Sequence, residues 1–410
     1  MPCNRFSVLD LLVLSLLFRP LPWEYAIRNL FRRPLRTFLT FTGLTTVVVL
    51  VFVVISFVRG LESSLTVSGN SQTALIFSLG MGENLEYSSI PMRTSDLVST
   101  SVSGIQQRYG QSYVSPELYL GTQVQIGEKD SKQSDQGEEA LGLVRGITPS
   151  VLPVRRQVEL EEGHWPTAGE ILIGRLVPAK IQALETDLAI GQWLHFEGRS
   201  WQISGIFSAN GSAFESEIWC RLDELQTAMK RQDLSLVALT LAAHGDFADL
   251  DLFCKERIDL ELQATRELDY YKTLQRDYGP VRWLAWLVIL LVSSAGIFSG
   301  LNTMYGSVAG RVAELATLQT IGFVRRAIIL SLIQEGVLLA AAASLSASMI
   351  ALMFIHGAAM RFTMGAFALR VDNMAVLIGC SIGFFIGFCG AIPPAIRALR
   401  MPIVEGLRAV

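Results

Sequence analysis

The chain has 410 residues, half of them apolar, a mean hydropathy of +0.40 and only 17% charged residues, against roughly 25% in an ordinary soluble protein. The deficit lies in four stretches, residues 38–57, 283–304, 327–355 and 374–396, which together carry one charged residue, Glu335. Each is long enough to cross a hydrocarbon layer of about 30 Å as a helix, which disfavours a soluble enzyme, a disordered chain and a nucleic-acid binder.

Residues 1–37 precede the first stretch. Within them 6–18 are apolar but interrupted by Asp10 and too short to span, and Arg19-Pro20-Leu21-Pro22 follows where a signal peptide would need small residues. An interfacial helix and a misassigned start codon are the two readings of 1–22. Arg28, Arg32, Arg33 and Arg36 then lead into the first predicted transmembrane helix, 38–58, which 59–65 prolong outward.

Residues 59–282 are predicted to form one large α+β domain inserted between transmembrane helices one and two. Val114–Ile126, Ala140–Ile147, Glu170–Gly174 and 236–243 read as strands, and 193–207 as a hairpin turning at Glu197-Gly198. Residues 175–184 and 221–231 read as helices, and 127–139 as a polar loop. At the far end, Ile258, Leu262, Leu268, Tyr271 and Leu274 recur among charges across 255–277, predicting an amphipathic helix that runs through Gly279-Pro280 into the second span. With 59–65 it would form a stalk that carries movement between membrane and domain.

Transmembrane helix two is predicted over 283–304, a short linking segment over 305–326, helix three over 327–355, a loop over 356–373, helix four over 374–396 and a tail over 397–410. The segments 1–37, 305–326 and 397–410 sum to +8, whereas 59–282 sums to −11. The positive-inside rule therefore places both termini and the linking segment in the cytoplasm and 59–282 outside.

Cys220 and Cys254 both fall in the outward domain, where an oxidising compartment would be able to join them; two cysteines alone specify no geometry. His164, His195, His244 and His356 are scattered without metal-ligand spacing, and neither a nucleophile elbow nor a phosphate-binding loop occurs. This chain is accordingly not expected to be an enzyme, to bind a cofactor or metal, or to hydrolyse ATP itself.

The linking segment carries most of the functional signal. Leu315, Leu318 and Ile321 share one face of a predicted helix over 311–322, Arg311 and Glu314 stand at i,i+3, and Gly322 is placed to end the helix. Glu335 follows inside span three, where structural pairing with the linking helix is the leading reading and a proton relay the lesser one.

Arg311, Glu314-Leu315, Ile321-Gly322 and Glu335 resemble the coupling segment of FtsX-like ABC-transporter permeases, the group that includes MacB-type and LolC/E-type proteins. The basic run from Ala26 to Thr37, the tail residues Pro394-Ala395-Ile396-Arg397 and Pro402-Ile403-Val404-Glu405, and the stretch from Gly163 to Gly174 are similar to the family as well. Span three departs from it, with Ala340–Ala343, Ser344, Ser346 and Ser348 where family members often have a Gly-Gly pair; these residues, with Gly379, Gly383 and Gly387, still permit close helix approach. The resemblance implies a permease that relays the motion of a separate cytoplasmic ATPase, where ATP and Mg would bind, to the outward domain. Arg311, Glu314, Leu315, Leu318, Ile321 and Gly322 would be the ATPase-coupling residues. It also implies a second permease subunit, alike or different, contact with membrane lipid, and a periplasmic adaptor or carrier. Cargo would be hydrophobic or periplasmic: a lipoprotein released from the membrane, a lipid or an effluxed amphiphile. The alternatives are a regulator that switches an extracytoplasmic hydrolase and a membrane sensor that needs no ATPase.

Overall fold

The computed structural model describes residues 23–81, 84–127, 139–362 and 365–400. The readings made for 1–22, for most of the polar loop and for the tail from Pro402 onward lie outside these residues. The described chain divides into two compact units: Met1–Val58 with Arg282–His356 and Arg370–Val410, and Arg59–Val281 with Gly357–Leu369.

The apolar stretches of the first unit fold as long helices, because side chains that offer no hydrogen bonds leave the backbone to bond to itself. In chain order the labelled helices are α1 (Trp23–Arg32), α2 (Pro34–Ser68), α3 (Glu267–Asp277), α4 (Gly279–Ala309), α5 (Val312–Thr320), α6 (Arg325–Ile350) and α7 (Asn373–Arg400). α6 continues as a wider π turn through Ala351–Ile355. Among the described residues, α2, α4, α6 with its π turn, and α7 are long and apolar enough to cross a membrane. Three of their hydroxyls bond to the preceding turn: Thr46 donates to the Thr42 carbonyl, Ser294 to Leu290 and Ser381 to Leu377.

Small residues set the packing of α6 on α7. A Cβ at Gly387 would run into Ala340, one at Gly383 into Ser344, and one at Gly336 into Ala391. The Ala/Ser run of span three thus meets the glycines of span four within one chain, giving the close approach on which membrane helix pairs rely.

The second unit is built on a ten-stranded sheet: β1 (Thr73–Ser78), β2 (Val114–Ile126), β3 (Ala140–Ile147), β4 (Glu159–Gly163), β5 (Glu170–Gly174), β6 (Trp193–Phe196), β7 (Arg199–Ser208), β8 (Glu217–Arg221), β9 (Leu236–Thr240) and β10 (Leu262–Arg266). Its order is β10-β1-β9-β2-β3-β8-β5-β7-β4, with β6 pairing both β7 and the end of β2. The strands β2, β3, β8, β5, β7 and β6 therefore close into a ring, and β9, β1 and β10 extend as a wing. β2 is long enough to serve both: Val114–Glu117 pair with β9, and Leu118–Val124 with β3. The ring closes through the β6–β7 hairpin, whose turn residues Glu197 and Gly198 have φ of +48° and +74°, as a tight hairpin requires.

Several expectations for this unit need correction. The strand predicted over 236–243 ends at Thr240, and the two predicted helices shrink to Val177–Ile181 and Leu222–Met229. The continuous amphipathic helix over 255–277 does not form. Helix Phe247–Glu256 ends before a 3₁₀ turn, Glu261 enters the left-handed region at φ +47°, and Leu262–Arg266 becomes edge strand β10 on β1. Its alternating burial has period two, and pairing satisfies the open edge of β1; only Glu267–Asp277 remains helical.

Cys220 and Cys254 are both free and buried, so the pairing left open above is absent. Cys220 lies on β8, whereas Cys254 lies on the helix packed against β10, with β1, β9, β2 and β3 between them in the sheet. A disulfide needs Cα atoms within about 7 Å. Burial pushes the Cys254 thiol up to about 12 and raises that of Cys220 still further, so both stay protonated packing groups.

Candidate functional site

Helix α5 forms the linking segment of the first unit. Arg311 sits at its N-cap and Ile321 at its C-cap, and Gly322 follows with φ +104°. The Phe323 amide donates to the Leu318 carbonyl and the Gly322 amide to Gln319. That pair of bonds is a Schellman cap, which needs a residue with positive φ at the position of Gly322. The predicted helix end is therefore realised by the residue that the sequence singled out.

The packed side of α5 is apolar. Leu315 is buried with Val308, Ile328, Leu332 and Ala395, and Leu318 and Phe323 pack against this cluster. Ile321 does not join it and stands 70% exposed. The helix ends one residue earlier, and Ile321 turns away with the cap. Thr317, Thr320, Ile321 and Val324 are all exposed, and Arg325 and Arg326 follow in the open. The free end of α5 is thus a small apolar and hydroxyl surface bordered by positive charge.

Arg311 and Glu314 do not pair with each other. The Arg311 guanidinium instead makes a two-pronged contact with Glu335 on α6, at 2.9 and 2.8 Å, and donates to Ser307 Oγ at 3.0 Å. Both partners are buried, their side chains 9% and 8% exposed. The structural pairing foreseen for Glu335 is therefore what the fold contains: the buried carboxylate ties the start of α5 to α6, and each prong matches the fork geometry of guanidinium on carboxylate. Arg311 is buried, and its contact with Glu335 fixes the start of α5. Glu314 points the other way and meets Arg32 of α1 at 3.4 Å in an exposed pair.

The sequence reading placed a basic helix ahead of the first span without assigning it contacts. Arg33 donates to the Gly310 carbonyl at 3.3 Å and Arg36 to the Thr303 carbonyl at 2.7 Å, at the C-terminal end of α4. Gly310 lies just past the last turn of α4, where carbonyls are left open and cations are favoured, whereas Thr303 lies within the helix and accepts from Arg36 as a second donor. A Cβ at Gly306 or Gly310 would collide with Arg36 or Arg33, so these two glycines make room for the arginines. The recurrence of Gly306 and Gly310 beside a basic helix is the signal that sequence reasoning passed over.

In the second unit, the C-terminal part of α2 lies beside α3. Gln275 donates to Thr66 Oγ1 at 2.9 Å, and a Cβ at Gly69 would touch Leu268. Beneath them is a buried ionic cluster that sequence reasoning also missed. Arg145 binds Glu217 through two nitrogens at 2.7 and 2.6 Å and Glu117 at 2.5 Å; Arg155 contacts both Glu117 and Glu267. Glu267 also accepts the Asn70 amide at 3.2 Å, just past the end of α2. Burial favours the neutral acid at Glu117, but the Arg155 and Arg145 guanidiniums outweigh it and hold its carboxyl low. At Glu267 burial wins over Arg155 and the carboxyl is raised. Arg145 interrupts the otherwise apolar strand Ala140–Ile147, which was the available signal.

The family profile described as MacB-like periplasmic core domain matches residues 37–250, just over half of the chain. Among solved structures, the chain is similar to the periplasmic region of MacB from Actinobacillus actinomycetemcomitans, at 12% identity and a TM-score of 0.38, over 51% of this chain and 94% of that one. It is also similar to the extracellular domain of the ABC-type transporter YknZ from Gram-positive bacteria, at 13% identity and a TM-score of 0.36, over 47% of this chain and 99% of that one. No curated protein matches it.

Proposed function

Because the chain belongs to the MacB/FtsX-type family of ABC-transporter permeases, we propose that it is the permease subunit of such a complex and passes the motion of a separate ATPase to its outward domain. In this reading α2, α4, α6 and α7 cross the cytoplasmic membrane, both termini and α5 face the cytoplasm, and residues 59–282 face outward. ATP and Mg act on the partner, and a second permease subunit completes the complex. The cargo is hydrophobic or periplasmic: a lipoprotein, a lipid or an amphiphilic compound.

The observation that carries the reading is the division of labour within α5. One side is locked, by Arg311 on Glu335 and by Leu315 on Ile328 and Leu332. The other end presents Thr317, Thr320, Ile321 and Val324 to the surroundings. A force applied at the free end is passed on to α6 because the fixed end cannot slip. Docking then belongs to Ile321 and its exposed neighbours, while Arg311 and Glu335 transmit.

The test separates these roles. The full chain is affinity-tagged, extracted in mild detergent and compared with Ile321→Asp and with Arg311→Ala. Ile321→Asp is expected to keep wild-type thermal stability and to lose a co-purifying Walker-type ATPase, since an exposed side chain carries little fold energy. Retention of the ATPase by Ile321→Asp, or its absence from the wild type, overturns the reading.

A further inference from the structure

We propose that the second unit contains a binding site for a small, flat, apolar molecule with one hydrogen-bond-donating end, in a crevice of about 400 Å³ at the carboxyl ends of β3 and β8. The inference is independent of the ATPase reading, since it concerns this unit alone and needs no energy source.

The crevice arises from strand direction. β3 and β8 are parallel neighbours, in register from Leu143 opposite Glu217 to Ile147 opposite Arg221. Each strand ends at the crevice, and each chain then turns into a helix, Val151–Val154 or Leu222–Met229. The crevice lies between the starts of these two helices, where neither covers the ends of the strands. The third wall is Trp165-Pro166, which follows β4 and belongs to the run from Gly163 to Gly174 noted in the sequence.

The chemistry of the walls selects the occupant. Ile147, Val151 and Leu222 form a buried apolar floor, and Trp165 packs against the same cluster as Ile147 and Val151. Leu152 and Met92 reach the crevice with 41% and 43% of their surface exposed, so apolar area remains uncovered. Trp165 and Pro166 supply a rigid, largely apolar wall. The volume falls within the roughly 300–1,000 Å³ of small-molecule sites, which are lined by apolar and aromatic side chains with few polar groups.

Arg221, Asp223 and Gln226 line one side, and on the other Thr148 shares its hydroxyl in a bond with Ser150 Oγ. Arg221 is held by Asp223 at 2.6 and 3.1 Å, so the two charges cancel and the rim attracts no ion strongly. Gln226 directs its amide nitrogen to the Asp233 carbonyl at 3.0 Å and to Met92 Sδ at 3.8 Å. Both amide protons are thereby engaged, and what Gln226 offers a ligand is an acceptor. A neutral aromatic or alicyclic body ending in a hydroxyl or N–H group fits these terms; a fatty-acid carboxylate, which needs a cation, does not.

The test uses the full chain in lipid nanodiscs, carrying 5-fluorotryptophan, with 2-naphthol as the probe. The ¹⁹F resonance of Trp165 is assigned by Trp165→Phe. Trp201 and Trp219, which are fully buried, report whether the fold persists in each variant. The expected result is a saturable shift of the Trp165 resonance with the Trp201 and Trp219 resonances unmoved. Leu152→Phe, which fills the crevice from an exposed position, abolishes the shift. Gln226→Leu weakens 2-naphthol by about fivefold but leaves naphthalene unchanged, as loss of one hydrogen bond predicts. An unmoved Trp165 resonance, a shift that grows linearly without saturating, or a Leu152→Phe titration equal to wild type overturns the proposal.

Discussion

Replacing Glu335 with alanine removes one half of the pair that fixes α5 to α6. The Arg311 guanidinium, 9% exposed, then loses both prongs of its contact with Glu335, while Ser307 still accepts from it. Two unit charges about 4 Å apart at an effective dielectric near 20 attract by roughly 4 kcal/mol. Stripping one partner from a buried pair costs about 3–5 kcal/mol, whereas replacing both with apolar groups is often neutral. Glu335→Ala should therefore destabilise the helical unit by about 3–5 kcal/mol, and Arg311→Met/Glu335→Leu should recover most of the loss. Reversible unfolding in mixed detergent and SDS micelles measures all three proteins. A loss below about 1 kcal/mol for Glu335→Ala would be the behaviour of a solvated surface pair and would refute the buried tether. In a reconstituted complex, the recovered double variant should still couple poorly, because stability returns without the fork that fixes the start of α5.

Gly322→Ala should cost about 1–2 kcal/mol in the same assay, because the added Cβ meets no neighbour and the penalty is the left-handed backbone alone; Gly322→Asn should cost less. In the second unit, Arg155→Met leaves Glu117 and Glu267 short of a counter-charge and should destabilise it by roughly 3–5 kcal/mol, read by tryptophan fluorescence during urea unfolding of the full chain. The two carboxylates predict opposite pH dependences. Glu117, held low, contributes stability above the unfolded carboxyl value of about 4.3 and loses it as pH falls through its lower folded value. Glu267, held high, contributes fully below about 4.3 and loses that contribution as pH rises through its raised folded value. Wild type should accordingly lose stability relative to Glu267→Gln as pH rises from about 4.3, and equal pH profiles for the two would show that Glu267 is not raised.

Local signals carried much of the fold. The apolar stretches announced the long helices because a helix long enough to span needs only composition and length. The strands Val114–Ile126, Ala140–Ile147 and Glu170–Gly174, the Glu197-Gly198 turn and the Gly322 cap were legible for a similar reason: each is fixed by neighbours within a few residues. The strand Leu262–Arg266 was not. Leu262 suits either period, and the deciding fact was the open edge of β1, remote in the chain.

For the candidate site, local sequence marked Arg311, Glu314, Leu315, Leu318, Ile321 and Gly322 as one short helix with its cap, and Glu335 as a charge in an apolar stretch that needs a partner. Only the tertiary structure decided how they divide. Arg311 reaches across 24 positions to Glu335 instead of three to Glu314, because a buried carboxylate has no water and the exposed one has. Ile321 is left outside because the cap turns it from the packed face. The separation of Cys220 from Cys254, the clasp of Arg33 and Arg36 on the end of α4, and the closing of six strands into a ring were likewise beyond the sequence. Each joins residues far apart in the chain, and spacing along one strand or helix encodes periodicity and caps but not which distant face will meet it.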